Sequence, residues 1–259
     1  MIYGITLGSI YGLVGAGLSI IYGVTDIANF AQGSFLMLGA YSAYLLLTNV
    51  INFPPLAVAL AFIPAFLLGM LSERYAIRPL RLKGGTGWLA AAFIATTGIM
   101  YVIETGAMLI FGPEYRGTAH FFPGVLSLGL IRISYDRLFI LLTSIGLMFL
   151  LVYLLRRTKI GKGIRAVAES WEGAALVGID VDRMYEVSFG LGVGLAAIAG
   201  GLLMPIYSVY PKMGDEPLVA AFTVVILGGC GSVGGAFLSL IHISEPTRPL
   251  YISYAVFCL

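Results

Sequence analysis

The sequence predicts an all-α fold: a polytopic bundle of transmembrane helices with one broken or re-entrant helix and a short cytoplasmic coupling helix. Three observations carry that expectation. Of 259 residues, 59% are hydrophobic and 11% charged, against about a quarter charged in ordinary soluble domains. With a mean hydropathy of +0.96, the chain lacks the polar surface to cover a globule in water. Its apolar residues gather in seven runs, at roughly residues 2–24, 27–48, 54–72, 88–111, 136–155, 184–208 and 218–237, most of them near the roughly 20 residues a membrane helix needs. The charge is concentrated instead, above all in RRTKIGKGIRAVAESWEGAALVGIDVDR, residues 156–183.

The first run has no basic leader and no small-residue cleavage site, so it reads as a retained helix rather than a signal peptide. Only VTDIANFAQG separates it from the second. That is too short for a solvent loop, and it predicts a spanning helix followed by a broken or re-entrant one. Arg74, Arg78, Arg81 and Lys83 follow the third run; Arg156, Arg157, Lys159, Lys162, Arg165 and Arg183 separate the fifth from the sixth. Two crossings lie between these clusters, so both fall on one face, cytoplasmic by the positive-inside rule. The loop from Pro113 to Ser134, with His120, Phe121 and Phe122, is then external, as is VYPKMGDEP (209–217), where Asp215 and Glu216 offset Lys212. The first two runs have no basic flanks, and parity leaves their orientation open. Gly8 with Gly12, Gly190 with Gly194 and Gly231 with Gly235 have the small-xxx-small spacing of close helix packing. LGGCGSVGGAF, in the last run, predicts a tight bend or half-helix.

Polar residues at membrane depth are costly and usually face a cavity or one another. Asp26, Asn29 and Gln32 stand at helical spacing around the break between the first two runs. Two roles fit them: a kinked element lining a substrate path, or a capped interfacial turn with Asp26 as N-cap of the second helix. Thr97, Tyr101 and Glu104 share one face of the fourth run. Glu104 suits the ammonium group of a passing solute or a pairing with a basic residue. Asn29, Gln32, Thr97, Tyr101 and Glu104 are the expected pathway residues.

Within the charged insert, Ser170 suits an N-cap, Glu172 sits in the first turn, and Gly178 is a C-terminal stop. Ile164, Val167, Ala168 and Trp171 form an apolar stripe, with Arg165, Glu169 and Glu172 facing elsewhere. The insert is too short to be a catalytic domain. Its stripe suits the membrane surface, the bundle, or a groove on another protein.

Here a family resemblance becomes specific. RAVAESWEGAALVGIDVDR resembles the cytoplasmic coupling loop of permease subunits in branched-chain amino-acid ABC transporters. Their Glu–Ala–Ala…Gly pattern is matched by Glu172, Ala174, Ala175 and Gly178, with Gly173 interposed. LGSIYGLVGAGLSIIYGV, IANFAQGSFLMLGAY, ERYAIRPLR and FTVVILGGCGSVGGAF match in the same order, so the resemblance runs from about Thr6 to Phe237. It is to the high-affinity leucine/isoleucine/valine uptake type, which carries the loop matched by Glu73, Arg74, Arg78, Pro79 and Leu80. Gln32 stands where many relatives have His.

The resemblance implies an importer subunit in a bacterial or archaeal inner membrane. Its partners would be a second permease subunit, two cytoplasmic ATPase subunits and an extracytoplasmic substrate-binding protein. Arg165, Glu169, Glu172, Ala174, Ala175 and Gly178 would couple it to the ATPases. No cofactor, metal or nucleic acid is expected. The chain has no G-x-x-x-x-G-K-[ST] phosphate loop; the Gly–Lys of TKIGKGIR lacks both the preceding glycine spacing and a Ser or Thr after Lys162. ATP hydrolysis is therefore assigned to separate subunits. The competing class is an ATPase-independent secondary transporter or channel for small polar solutes. A membrane enzyme is disfavoured, because His120 and Cys230 are too thin an inventory for a nucleophile–base pair or metal set.

Residues 238–259, LSLIHISEPTRPLYISYAVFCL, break the pattern. Leu238 to Arg248 and Ile252 to Leu259 resemble translated sequencing-adapter DNA, with Pro249, Leu250 and Tyr251 filling the gap of a short index. The expectation is a transmembrane permease domain over 1–237, truncated within a membrane segment, and an adapter-derived tail over 238–259. His242 and Cys258 then carry no function, and two cysteines imply no disulfide framework. The competing reading is a genuine last helix broken by Glu245, Pro246 and Arg248.

Overall fold

Helix α10 (Val181–Leu203) is the element on which the others assemble. Asp180 caps it by accepting from the Arg183 N–H. Three helices lie along it: α1 (Ile2–Thr25), α2 (Gln32–Asn49) and α4 (Phe62–Ser72). Small residues make this possible. A Cβ on Gly192 would lie 2.5 Å from the Gly17 carbonyl, and one on Gly17 equally close to that of Gly192. Ala197 is seated against Gly39, while Gly194 receives the Phe62 ring and Gly190 meets Phe66 and Met70. The Gly190/Gly194 pair predicted from spacing thus faces α4. Hydrocarbon tails are as apolar as Leu, so close backbone approach, rather than escape from water, holds such helices together.

The computed structural model describes residues 2–51, 53–84, 87–117, 121–122, 124–128 and 131–229. The expectations for His120, Cys230, the Gly231/Gly235 pair and the tail 238–259 fall outside these residues.

The third run is longer than predicted and is built in pieces: α3 (Pro54–Leu60), α4, a wide turn over Glu73–Ile77, and α5 (Arg78–Lys83). Two prolines explain the joints. Pro64 and Pro79 have no N–H to donate to the carbonyl four residues back, and their rings press on that turn. The chain accommodates the second by widening, with the Arg78 N–H reaching the Glu73 carbonyl. Helices α6 (Trp88–Phe111) and α7 (Tyr135–Arg157) lie at the periphery and expose Ile94, Val102, Leu109, Leu142, Phe149 and Tyr153. That is the pattern of a lipid-facing surface. Among the described residues, five helical stretches are long and apolar enough to cross a membrane: 4–25, 54–83, 88–111, 135–157 and 181–203. The chain is a multi-pass membrane helix bundle.

Four expectations need correction. The second helix begins at Gln32, not residue 27, and 26–31 is non-helical. Asp26 does not cap it: Ala31 precedes the helix, and Asp26 is exposed in the left-handed region at φ 54°. The sixth run stops at Leu203, so 204–214 also leaves the helix. The 113–134 loop is not wholly irregular; β1 (Val125–Leu128) and β2 (Ile131–Ser134) pair antiparallel. Arg116 also bridges Val209, so the loops after α6 and α10 meet. The last described helix, α11 (Asp215–Gly228), ends at Gly229, φ 87°, where the glycine-rich bend was expected.

The two basic clusters do share one end. Arg78 binds Asp182 at 2.6 Å and lies 3.7 Å from Glu186, and Arg81 binds Asp182 at 3.1 Å, both carboxylates standing in the first turns of α10.

Candidate functional site

The non-helical stretch before α2 is satisfied by its own short polar side chains. Thr25 Oγ1 donates to the Ile21 carbonyl and accepts from the Ile27 N–H at 3.3 Å. Asn29 Oδ1 accepts from the Ala31 N–H at 3.1 Å, and its amide donates to Gln32 Oε1 at 3.2 Å. Gln32 Nε2 then donates 2.9 Å across to the Gly192 carbonyl. Asn29 and Gln32 are fully buried. Gly192 stands near the middle of α10, about 17 Å from either end at 1.5 Å per residue, so this chain of bonds reaches the centre of the bundle. The second non-helical stretch meets the first turn of α2: a Cβ on Gly33 would lie 2.5 Å from the Gly214 carbonyl. Replacing Gln32 by Leu leaves the Asn29 amide without its acceptor and should cost about 1–3 kcal/mol, read as lower thermal stability in detergent.

Two residues past Gln32, Ser34 Oγ lies 3.1 Å from Glu104 Oε1 and 3.4 Å from the Met100 carbonyl. Glu104 and Tyr101 line a cleft of about 420 Å³ with Met108, Tyr115, Tyr210, Lys212 and neighbouring residues. The lining holds one carboxylate, Glu104, and one ammonium, Lys212, together with aromatic and proline surface. Tyr115 and Tyr210 pack with ring centroids 4.9 Å apart. Burial first, then Tyr115, pushes the Tyr210 phenol above its usual value, so it remains a neutral donor. Of the five expected pathway residues, Asn29 and Gln32 sit in the buried break and Tyr101 and Glu104 in the cleft. Thr97 lines neither; its hydroxyl donates to the Phe93 carbonyl at 2.9 Å. Ser34, which joins the two regions, and Lys212 were missed as site residues. Lys212 had signalled only charge balance in an external loop, and a lone serine in an apolar run carries no signal.

The charged insert folds as α8 (Lys159–Glu169) and α9 (Trp171–Leu176). Thr158 caps α8 by accepting from the Gly161 N–H, and Ser170 caps α9 by accepting from the Gly173 N–H at 3.1 Å. Gly178, φ 82°, closes α9 as expected: its N–H reaches the Ala175 carbonyl and the Ile179 N–H that of Ala174, both at 3.0 Å. The apolar stripe differs from the expected one. Ile164, Val167 and Ala174 are buried against the bundle, whereas Ala168 and Trp171 are exposed. The extended backbone at Ser170, φ −159° and ψ 108°, swings α9 off the line of α8. Arg165, Glu169, Glu172, Ala175 and Gly178 are all exposed, and Ala174 is their anchor. Trp171 (57% exposed), Leu176 (89%) and Val177 (76%) form an uncovered apolar knuckle at the charged end.

Beside it, Arg81 bridges the fully buried Glu73 to Asp182 and lays its guanidinium 3.8 Å from the centroid of the Tyr185 ring. This network ties α5 to the start of α10, four residues beyond Gly178 at Asp182.

Bundle, buried break and exposed insert together define a membrane transport permease. The chain belongs to the family described as branched-chain amino acid transport system / permease component, whose profile matches residues 1–244. It is 31% identical over 252 residues to the high-affinity branched-chain amino acid transport system permease protein BraD of Pseudomonas aeruginosa, covering 92% of this chain and 81% of that one. To the corresponding permease protein LivH of Escherichia coli K12 it is 30% identical, covering 98% and 86%. A probable branched-chain amino acid transport permease protein of Methanocaldococcus jannaschii is 28% identical, covering 94% and 78%. No solved structure matches the chain.

Proposed function

We propose that the chain is the membrane-spanning subunit of an ATP-driven importer of branched-chain or related amino acids, coupled through α8–α9 to separate ATPases. The carrying observation is the knuckle of Trp171, Leu176 and Val177. Exposed apolar residues along α6 and α7 need only lipid, but these three lie among Lys162, Arg165, Glu169, Glu172 and Asp180, between the apolar spans that end at Arg157 and begin at Val181. An amphipathic element of this kind suits a groove on a soluble partner. Its anchor leads directly into α10, the helix that touches the central break. In this reading the basic end is cytoplasmic, and a second permease subunit and an extracytoplasmic binding protein complete the importer. Glu104 and Lys212, both in the lining of one cleft, are complementary to the ammonium and carboxylate of an amino acid, with Tyr101 and Met108 offering surface to an apolar side chain.

Glu172→Arg reverses an exposed charge in the first turn of α9 and leaves the bundle alone. We expect ATP-dependent uptake to be abolished while membrane insertion is unchanged. Gly178→Trp forces a left-handed backbone position that costs an L-residue about 1–2 kcal/mol and should do the same. Uptake that persists in cells lacking any cognate ATPase would identify an ATPase-independent transporter instead.

A further inference from the structure

Between α1, α7 and α8, at the basic end, lies a cleft of about 270 Å³ that the transport reading does not use apart from Arg165 on its rim. Its deeper walls carry Ser19 from α1 and Val152 from α7; its outer rim carries Arg156 and Arg165. Among the described residues neither guanidinium has a carboxylate partner. Ser19 is fully buried, and its hydroxyl has no hydrogen-bond partner among the described residues. Thr25, Ser72 and Ser188 each donate to the carbonyl four residues back, the usual refuge of a helical hydroxyl. Ser19 leaves that refuge unused and lines the cleft.

We propose that this cleft binds the phosphate-bearing headgroup of an anionic phospholipid from the adjoining leaflet. Arg156 and Arg165 meet the phosphate, the Ser19 hydroxyl donates to a headgroup oxygen, and the acyl chains run along the exposed apolar face of α7. Depth supports this. The apolar span of α7 ends at Arg156 and Arg157, where headgroups lie. So does residue type, because two guanidiniums match phosphate oxygens in a way that ammonium groups do not. Size supports it too. Pockets for whole drug-sized ligands run roughly 300–1,000 Å³, so this one suits a headgroup with its tails outside. A choline headgroup would bring a third cation against the two arginines. A basic pocket between helices at the membrane surface is the expected form of an anionic-lipid site.

Native mass spectrometry of the full chain in detergent, titrated with phosphatidylglycerol, phosphatidylcholine and glycerol 3-phosphate, tests the assignment. One phosphatidylglycerol per chain should be retained in preference to phosphatidylcholine, and glycerol 3-phosphate should not displace it. Arg156→Gln and Arg165→Gln should each weaken retention about fivefold and together about 25-fold. Arg157→Gln, which removes the same charge beside the cleft without lining it, should leave retention unchanged. Val152→Trp narrows the cleft without touching charge and should also release the lipid, which covers the case of a misfolded double variant. Undiminished retention in these variants, equal loss in Arg157→Gln, or equal retention of phosphatidylcholine would overturn the proposal. Displacement by glycerol 3-phosphate would overturn the lipid as source and leave a free-anion site.

Discussion

Arg81→Ala should destabilise the folded chain by about 3–5 kcal/mol, the range for removing one partner of a buried ion pair. Glu73 is fully buried, and among the described residues its Oε2 has no hydrogen-bond partner. Arg81 is its one ion-pair partner there, and it also holds Asp182 and covers the Tyr185 ring. The loss therefore strands a carboxylate in apolar surroundings and unties α5 from α10 together. Thermal unfolding of the detergent-solubilised protein measures this, and a double-mutant cycle identifies the cause. Glu73→Gln should recover much of the loss in the Arg81→Ala background, because it removes the stranded charge. Glu73→Gln that is additive with Arg81→Ala would show that the pair is not coupled.

Gly39→Val should have a still larger effect and leave little folded protein. A Cβ there would overlap the backbone of Ala197, and one on Gly200 would overlap the Leu36 carbonyl, so neither clash can be relieved by a side-chain rotation. The helices must separate, and separation breaks the packing that replaces hydrophobic drive in lipid. The matched controls are Gly98 and Gly106 on α6 and Gly146 on α7, where an added Cβ meets nothing within 4 Å. Alanine at these sites should be neutral or stabilise by up to about 1 kcal/mol through helix propensity. Fluorescence-detected size-exclusion chromatography of the five variants, with Gly200→Val as the fifth, separates the two groups. A monodisperse Gly39→Val protein with wild-type yield would show that the α2–α10 crossing is looser than its geometry.

What the sequence reveals here is what local chemistry decides. Ser170 and Gly178 each act through a bond to a residue three positions away, and both take the roles their residue types imply. Apolar run length likewise located α6 and α7 almost to the residue. The failures are of three kinds. At 26–31, short polar side chains bond their own backbone and compete with helix formation, so a run counted by hydropathy alone began too early. The Ser34–Glu104, Gln32–Gly192 and Arg81–Asp182 pairings join residues 70, 160 and 101 positions apart, a separation to which no periodicity or spacing rule applies. The apolar stripe predicted on the insert does not extend to Trp171, because the extended backbone at the capping Ser170 bends the chain there.

The Gly17–Gly192 crossing is one of several bare-backbone seats along α10: Gly39 meets Ala197 and Gly200 meets the Leu36 carbonyl farther along the same rod. A rod of 23 residues, about 34 Å long, clamped at several depths cannot swing about any one of them. We expect α1, α2 and α10 to travel as one block, so that a spectroscopic ruler placed between α10 and α2 reads a single length throughout transport.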